Sequence, residues 1–315
     1  MNTLRIVFMG TPDFAVATLQ KLVESGKLIV GVITAPDRPA GRGQKLQQSA
    51  VKLYALRQNL RVLQPTNLKN ETFLEDLRAL EANLQIVVAF RMLPKIVWNM
   101  PEFGTFNLHA SLLPHYRGAA PINWAIMNGE TETGATTFFL DDQIDTGEII
   151  LQEKTYISPE DTAGTLHDRL MQLGATLVLR TVQQIEKGSV VTKKQENGTT
   201  LRSAHKLHRE ICEIDWHQPM DTIYDHIRGL SPYPTSWTTL CNGDERIFLK
   251  IYSASKEMHV HQLKIGTLVF DKKVLKVAVE NGFINLLEIQ LPGKRMMKTS
   301  EVLNGLNLEK TACVA

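Results

Sequence analysis

The segment FNLHASLLPHYRGAAPINW, residues 106–124, places an amide and an imidazole, Asn107 and His109, two positions apart in an otherwise apolar run. A proline-containing turn, SLLP (Ser111 to Pro114), follows at once. In a strand, side chains two apart leave the same face. Asn107 and His109 therefore project together near the carboxyl end of their strand, where open α/β sheets build ligand sites. Each alone has a plainer account, as a core amide or as a satisfied histidine at a strand end. A third element changes the balance: LDDQIDTG, residues 140–147, sets Asp141, Asp142 and Asp145 on the connection between two strands. By itself an acidic turn is Asx-type turn chemistry. With Asn107 and His109 it completes a set suited to acyl transfer to an amine, which needs a donor for the developing oxyanion and a group that exchanges a proton near neutral pH. Asn107 supplies the donor, His109 exchanges the proton, and Asp145 orients the imidazole or accepts a proton. No serine or cysteine nucleophile is required, because the amine is itself the nucleophile. A metal centre fits poorly, with one histidine nearby, no cysteine, and acids confined to one loop.

The elements that must position these residues alternate between strand and helix through the first half of the chain. LRIVFM (Leu4 to Met9) reads as a strand. After Gly10, Thr11 is placed to cap a helix with Pro12 at its first position and Phe14, Ala15, Leu19, Leu22 and Val23 as its apolar stripe. LIVGVIT, LQIVVAF (Leu84 to Phe90) and GTFNLH (Gly104 to His109) read as further strands, and SAVKLYALRQ as a helix. Nearly uninterrupted apolar runs of this kind suit a parallel sheet covered on both faces. GATTFFLDD and GEIILQEKTY lie close in sequence and predict an antiparallel edge, and a helix from about Thr162 to Lys187 closes the domain. The next segment, KGSVVTKKQENGTTLRSAHKLHR, is polar, basic and aperiodic, as a linker is. Beyond it come one helix, near Pro219 to Gly229, and five short strands: WTTLC, RIFLKIYSA, IGTLVF, VLKVAVE and FINLLEIQ. Their spacing predicts a small closed barrel of the oligonucleotide-binding (OB) type. The expected fold is therefore α/β: a Rossmann-like, mostly parallel sheet over residues 1–188, a basic linker over 189–208, and an OB-like β-barrel over 209–315.

At 315 residues the chain is long for one domain and comfortable for two. Its 43% hydrophobic and 22% charged content is that of a soluble globular protein with a substantial core. A net charge of +2 decides nothing, so charge distribution carries the argument. From Arg38 to Asn70 the chain holds seven Lys and Arg, Arg42 and Lys45 among them, and no acid. Residues 187–209 hold six, including Lys206 and Arg209, against Glu196 alone. These segments predict a phosphate-binding face for nucleic acid, with the loop APDRPAGRGQK carrying Arg42 toward the site. Cys212, Cys241 and Cys313 match no zinc or disulfide pattern and are expected to be reduced thiols. FMGTPDFA has one glycine where a dinucleotide fingerprint has three, which argues against a dehydrogenase. The N-terminus does not read as a signal peptide, and no apolar run approaches membrane-spanning length. A soluble, cytoplasmic protein with no metal and no membrane partner is expected.

FNLHASLLPHYRGAAPI, LDDQIDTGEII, VFMGTPDFA and DRPAGRGQK together resemble the methionyl-tRNA formyltransferase family, and the likeness extends through IRGLSPYPTSW to LPGKRMMKTSEVLNG, essentially the whole chain. The Asn-x-His plus SLLP pattern is shared by enzymes that use 10-formyltetrahydrofolate as donor. The resemblance implies formyl transfer from 10-formyltetrahydrofolate to the α-amine of methionine on initiator tRNA. It makes Asn107, His109 and Asp145 catalytic and puts Ser111, Leu112, Leu113 and Pro114 at the folate. It puts Arg42 in the loop that enters the tRNA acceptor end; Lys45, Lys206 and Arg209, from the basic segments, are expected to bind the tRNA with it, and a monomer is expected. Folate and methionine come from the resemblance alone. Two positions depart from the family pattern: Arg91 stands where a glycine commonly follows an aromatic residue, and Gln143 replaces a glycine of the acidic loop. A formyltransferase acting on a nucleotide-linked amino sugar would account for the same three residues but not for the basic segments. A noncatalytic RNA-binding protein would leave the Asn-His-Asp set unexplained.

Overall fold

The computed structural model of the chain describes residues 3–40, 45–196, 198 and 200–315. Arg42 lies outside the described residues, and so does the side chain of Lys45. The chain divides into two compact units. Met1–Gly118, Thr133–Thr155 and His167–Ser203 form the first; Ala119–Glu132, Tyr156–Leu166 and Ala204–Ala315 form the second.

The first unit is built on seven strands: β1 (Ile6–Gly10), β2 (Ile29–Ile33), β3 (Val62–Leu63), β4 (Leu84–Val88), β5 (Thr105–His109), β6 (Glu132–Phe139) and β7 (Ile149–Tyr156). Their order across the sheet is β7-β6-β5-β4-β1-β2-β3. The pairings β1–β2, β1–β4, β2–β3 and β4–β5 are parallel and β5–β6 is antiparallel; β6 and β7, the two segments close in sequence, lie side by side at the edge of the sheet. Every residue of β1 and of β4 is buried, as strands covered on both faces must be. Gln85, the one polar residue in β4, is 1% exposed and accepts a hydrogen bond from Thr105 Oγ1 at 3.1 Å.

Helices α1 (Asp13–Glu24), α2 (Ala50–Arg57) and α3 (Glu71–Ala79) connect the parallel strands. The N-cap of α1 is Pro12 and not Thr11, and no side chain caps it. Capping by side chains occurs instead at α2 and α3, where Ser49 accepts from Lys52 N at 3.0 Å and Asn70 from Phe73 N at 3.2 Å. The loop expected around residues 35–45 has paired flanks, Arg38–Ala40 running antiparallel to Lys45–Gln47. The long helix Ala163–Lys187 buries Leu170, Leu177, Val178 and Val182. It lies close on β5, since a Cβ on Gly174 would come within 2.7 Å of the Leu108 side chain. That contact stiffens the strand carrying Asn107 and His109 from behind.

In the second unit the helix Met220–Leu230 packs Ile223 and Ile227 into a core with Leu240, Leu249, Ile251, Val277, Ile284 and Ile289. The five expected strands are present as β8 (Ser236–Asn242), β9 (Glu245–Met258), β10 (Leu268–Phe270), β11 (Leu275–Val279) and β12 (Gly282–Gln290). Short strands β13 (Met297–Lys298) and β14 (Cys313–Val314) add to them, in the order β10-β11-β12-β9-β8-β14 with β13 on β12. Val314 N donates to Gly266 O at 2.9 Å and Leu268 N to Ala312 O at 3.2 Å. The antiparallel sheet therefore comes back on itself as a nearly closed barrel, which leaves few free edges. No helix among the described residues is long and apolar enough to cross a membrane.

Candidate active site

Asn107 and His109 stand at the carboxyl end of β5, with Val87 of β4 opposite Asn107 on one side and Phe138 of β6 on the other. His109 is 7% exposed, and its Nε2 lies 2.8 Å from Tyr116 O. A carbonyl oxygen only accepts, so Nε2 carries the hydrogen and Nδ1 is left for exchange. Nδ1 faces Asp145 Oδ2 at 3.8 Å. The same Oδ2 accepts from Gly118 N at 2.9 Å, which fixes the carboxylate where an imidazolium Nδ1–H would point. The Asn107 carboxamide makes no side-chain hydrogen bond among the described residues, and its Oδ1 is buried without a partner. A buried acceptor left unpaired costs about 1–3 kcal/mol. Most buried polar groups are paired, so an exception beside a His–Asp pair marks a place that a ligand completes.

The three acids of the β6–β7 connection separate cleanly. Asp141 organises the turn, accepting from Gln143 N at 3.0 Å and from Thr146 Oγ1 at 2.7 Å. Asp142 pairs with Lys95 at 2.9 Å on the surface. Asp145 alone turns toward His109, and it does so with φ of +55°. Gln143, in place of the usual glycine, needs only its backbone N–H here. Gly147 permits the approach: a Cβ at that position would sit 1.7 Å from Phe139 O and 2.8 Å from its carbonyl carbon. Gly147→Ala is expected to destabilise the fold by about 1–3 kcal/mol or more through overpacking, read as a lower thermal-unfolding midpoint. An unchanged midpoint would mean that the loop does not close against Phe139.

The SLLP turn is satisfied from within. Ser111 Oγ donates to His115 O at 2.7 Å, Leu113 N donates to Thr136 Oγ1 at 3.2 Å, and Gln152 Nε2 donates to Leu113 O at 2.8 Å. The Leu113–Pro114 peptide is cis. The turn presents the half-buried Leu112 and Pro114 as an apolar wall. Sequence periodicity did not single out the next residues, Tyr116 and Gly118, whose backbone completes the His–Asp pair, or Gln195. Gln195 comes from the aperiodic basic segment and bonds the backbone of Asp145 and Gly147 at 2.9 and 2.8 Å.

A pocket of about 640 Å³ opens at the carboxyl ends of β1, β2 and β4, lined by Thr11, Ala35, Arg38, Ser49, Phe90 and Arg91 among others. β1 lies between β2 and β4, so this is the switch point of the parallel sheet, where such sheets bind ligands. Arg91 is anchored at its wall, donating to Thr66 O at 2.9 Å and to Pro65 O, with its guanidinium 5.7 Å from the Phe90 ring centre. Partial desolvation first, and the charge of Arg38 second, hold the Arg91 pKa below its ordinary value. Lys52 bonds Asp37 at 2.5 Å and holds that carboxyl below the usual carboxylate range. Among the described residues no cluster of His, Cys, Asp and Glu is arranged to hold a metal ion. Of the other basic residues, Lys206 and Arg209 belong to the second unit, and both are exposed. The Arg209 guanidinium lies 5.2 Å from both the Trp237 and Phe248 rings.

Residues 4–182 match the family model described as "Formyl transferase", and residues 206–307 match the one described as "Formyl transferase, C-terminal domain". A methionyl-tRNA formyltransferase of Flavobacterium johnsoniae is 57% identical over 314 residues, covering 100% of both chains. The chain belongs to the methionyl-tRNA formyltransferase family. Another methionyl-tRNA formyltransferase, from Bacteroides thetaiotaomicron, is 56% identical over 97% of this chain and 96% of its own. The architecture of the family extends further: the structure of an N-formyltransferase from Helicobacter canadensis, in complex with folinic acid and dTDP-3-aminofucose, superimposes with a TM-score of 0.66 over 90% of this chain and 98% of its own. At 20% identity that likeness concerns the fold.

Proposed function

We propose that this protein transfers the formyl group of 10-formyltetrahydrofolate to the α-amine of methionine on initiator tRNA, yielding formyl-methionyl-tRNA for translation initiation. The observation that carries it is the unpartnered Asn107 carboxamide beside the His109–Asp145 pair, at the carboxyl ends of strands in a chain of this family. The buried Asn107 Oδ1, without a partner, fits a place that a ligand completes; the cavity at the sheet's switch point is lined by other residues, Thr11, Arg38, Phe90 and Arg91 among them. The turn Ser111 to Pro114 would border the folate, Leu112 and Pro114 as an apolar wall and the buried Ser111 and Leu113 as its support. Arg42, Lys45, Lys206 and Arg209 would meet the tRNA backbone, with the formyl-transfer chemistry in residues 1–188, a basic linker over 189–208, and an OB-like tRNA-binding domain over 209–315. We place the reaction in the cytoplasm and assign it to a monomer.

Asn107 donates through Nδ2 to the carbonyl oxygen of the formyl group as negative charge develops there, and its Oδ1 accepts an N–H of the attacking amine. The His109–Asp145 pair takes up the amine's proton as the new C–N bond forms, the proton coming to rest between Nδ1 and the carboxylate, while Tyr116 O holds the ring by Nε2–H. Asp145 stabilises the imidazolium so formed, steadied by the Gly118 amide. The proton then passes to the departing N10 nitrogen of the folate, whose bond to the formyl carbon breaks. The amine is itself the nucleophile, so the transfer needs no covalent enzyme intermediate.

The test is a formylation assay with purified protein and 10-formyltetrahydrofolate, offering methionine-charged initiator tRNA and a nucleotide amino sugar in parallel. Formyl-methionyl-tRNA at catalytic turnover is the expected result. Formylation of the sugar alone would keep the chemistry and discard the tRNA, and tRNA binding without any turnover would remove the enzyme reading altogether.

A further inference from the structure

Asp145 has an unusual burden. Its backbone sits in the left-handed region, with φ of +55°, which costs a residue other than glycine about 1–2 kcal/mol. Its carboxylate must nonetheless hold a fixed place 3.8 Å from His109 Nδ1. Something outside the loop has to keep it there, and Gln195 is placed to do so. Gln195 Nε2 donates to Asp145 O at 2.9 Å and to Gly147 O at 2.8 Å. Its Oε1 accepts from Arg117 Nε at 3.0 Å and from Arg117 Nη2 at 2.7 Å. A carboxamide has two donor hydrogens and two acceptor lone pairs, and all four are used. The orientation is forced, since carbonyls must face the NH₂ and a guanidinium must face the oxygen.

The geometry points to Gln195 as a positioning residue for formyl transfer: it ties the loop bearing Asp145 to the 116–118 segment and so sets the spacing of the His109–Asp145 pair. Both ends of the tie matter to the chemistry. On one side it holds the backbone on either side of Thr146. On the other it holds Arg117, whose neighbours Tyr116 and Gly118 bond His109 and Asp145 respectively. The support for Gln195 is itself anchored, because Lys193 exchanges backbone hydrogen bonds with Ile149 at the start of β7, at 2.8 and 2.9 Å. Thr192 Oγ1 also donates to Glu148. A site of this kind loses rate steeply when its support shifts by an ångström. No other neutral side chain of similar length can donate to two carbonyls while accepting from a guanidinium. Glutamate would set an oxygen against both carbonyls, and methionine would make none of the four bonds.

This inference rests on the proposed reaction, so the experiment carries two readouts. Steady-state formylation is compared for the parent, Gln195→Met, Asp145→Asn and the double variant, at a temperature where circular dichroism shows each one folded. Gln195→Met is expected to lower kcat about 10²-fold, with KM for both substrates within about threefold of the parent. In the Asp145→Asn background the same change is expected to cost about twofold at most, because the carboxylate it positions is gone. Hydrogen exchange at the Gly118 amide, which Asp145 protects, is expected to be about tenfold faster in Gln195→Met than in the parent. Should Gln195→Met fail to fold, Gln195→Glu keeps the size and the Arg117 contact and carries the same expectations. A kcat within about threefold of the parent, or losses that multiply in the double variant, would overturn the assignment. A parent protein with no turnover would instead overturn the proposed reaction. The clamp would then stand or fall on the exchange of Gly118.

Discussion

Replacing His109 by alanine is expected to lower kcat about 10²–10⁴-fold, the usual worth of a positioned acid–base group, with much smaller changes in KM. The imidazole is held at Nε2 by Tyr116 O at 2.8 Å, and its Nδ1 faces the carboxylate of Asp145 at 3.8 Å. That second distance is longer than a hydrogen bond, so the carboxylate faces Nδ1 as a charge placed to stabilise a protonated ring. Alanine would leave Asp145 Oδ2 its Gly118 amide bond but with no cation to stabilise. Because His109 acts as the proton moves, the loss belongs in kcat. Turnover within about tenfold of the parent, in the formylation assay, would take His109 out of the proton path.

Asn107→Ala is expected to cost about 10²–10³-fold in kcat, the typical worth of one oxyanion donor. Its effect on stability should have the opposite sign. The Asn107 side chain makes no hydrogen bond among the described residues and buries an unpaired oxygen. Removing it relieves a desolvation cost of about 1–3 kcal/mol, so the thermal midpoint is expected to stay level or rise as activity falls. Lost rate without lost stability is the mark of a group kept for the reaction. A variant that loses both together would make Asn107 a structural amide.

Period-two alternation made the Asn107–His109 face legible from sequence, because a buried strand leaves its side chains little choice of direction. The acidic loop was legible as a locus but not by member. Asp141, Asp142 and Asp145 are alike in type, and only the turn geometry, with Asp141 bound to Thr146 and Asp142 to Lys95, leaves Asp145 for His109. Gln195 carried no signal, since it acts across 50 residues from a stretch with neither helical nor strand periodicity. Helix α3 bears plain marks in the sequence: Asn70 as cap, then Phe73, Leu74 and Leu77 as a buried stripe. The basic run beginning at Arg38 shows how a window misleads. It contains no acid, yet Lys52 pairs with Asp37 just before it and Arg61 with Asp76 just after it. Charge is neutralised in space, and counting along the chain sees only part of it.

The second unit draws Ala119–Glu132 and Tyr156–Leu166 from within the stretch that otherwise builds the first. A chain leaving the ribosome from its N-terminus cannot finish the units one after the other. The two early segments emerge long before Ala204–Ala315 is made, and they must wait without their partners until synthesis is nearly done. Such interleaving raises the sequence separation of contacts and slows folding. A cut near residue 204 would part Ala119–Glu132 and Tyr156–Leu166 from the C-terminal segment with which they are grouped.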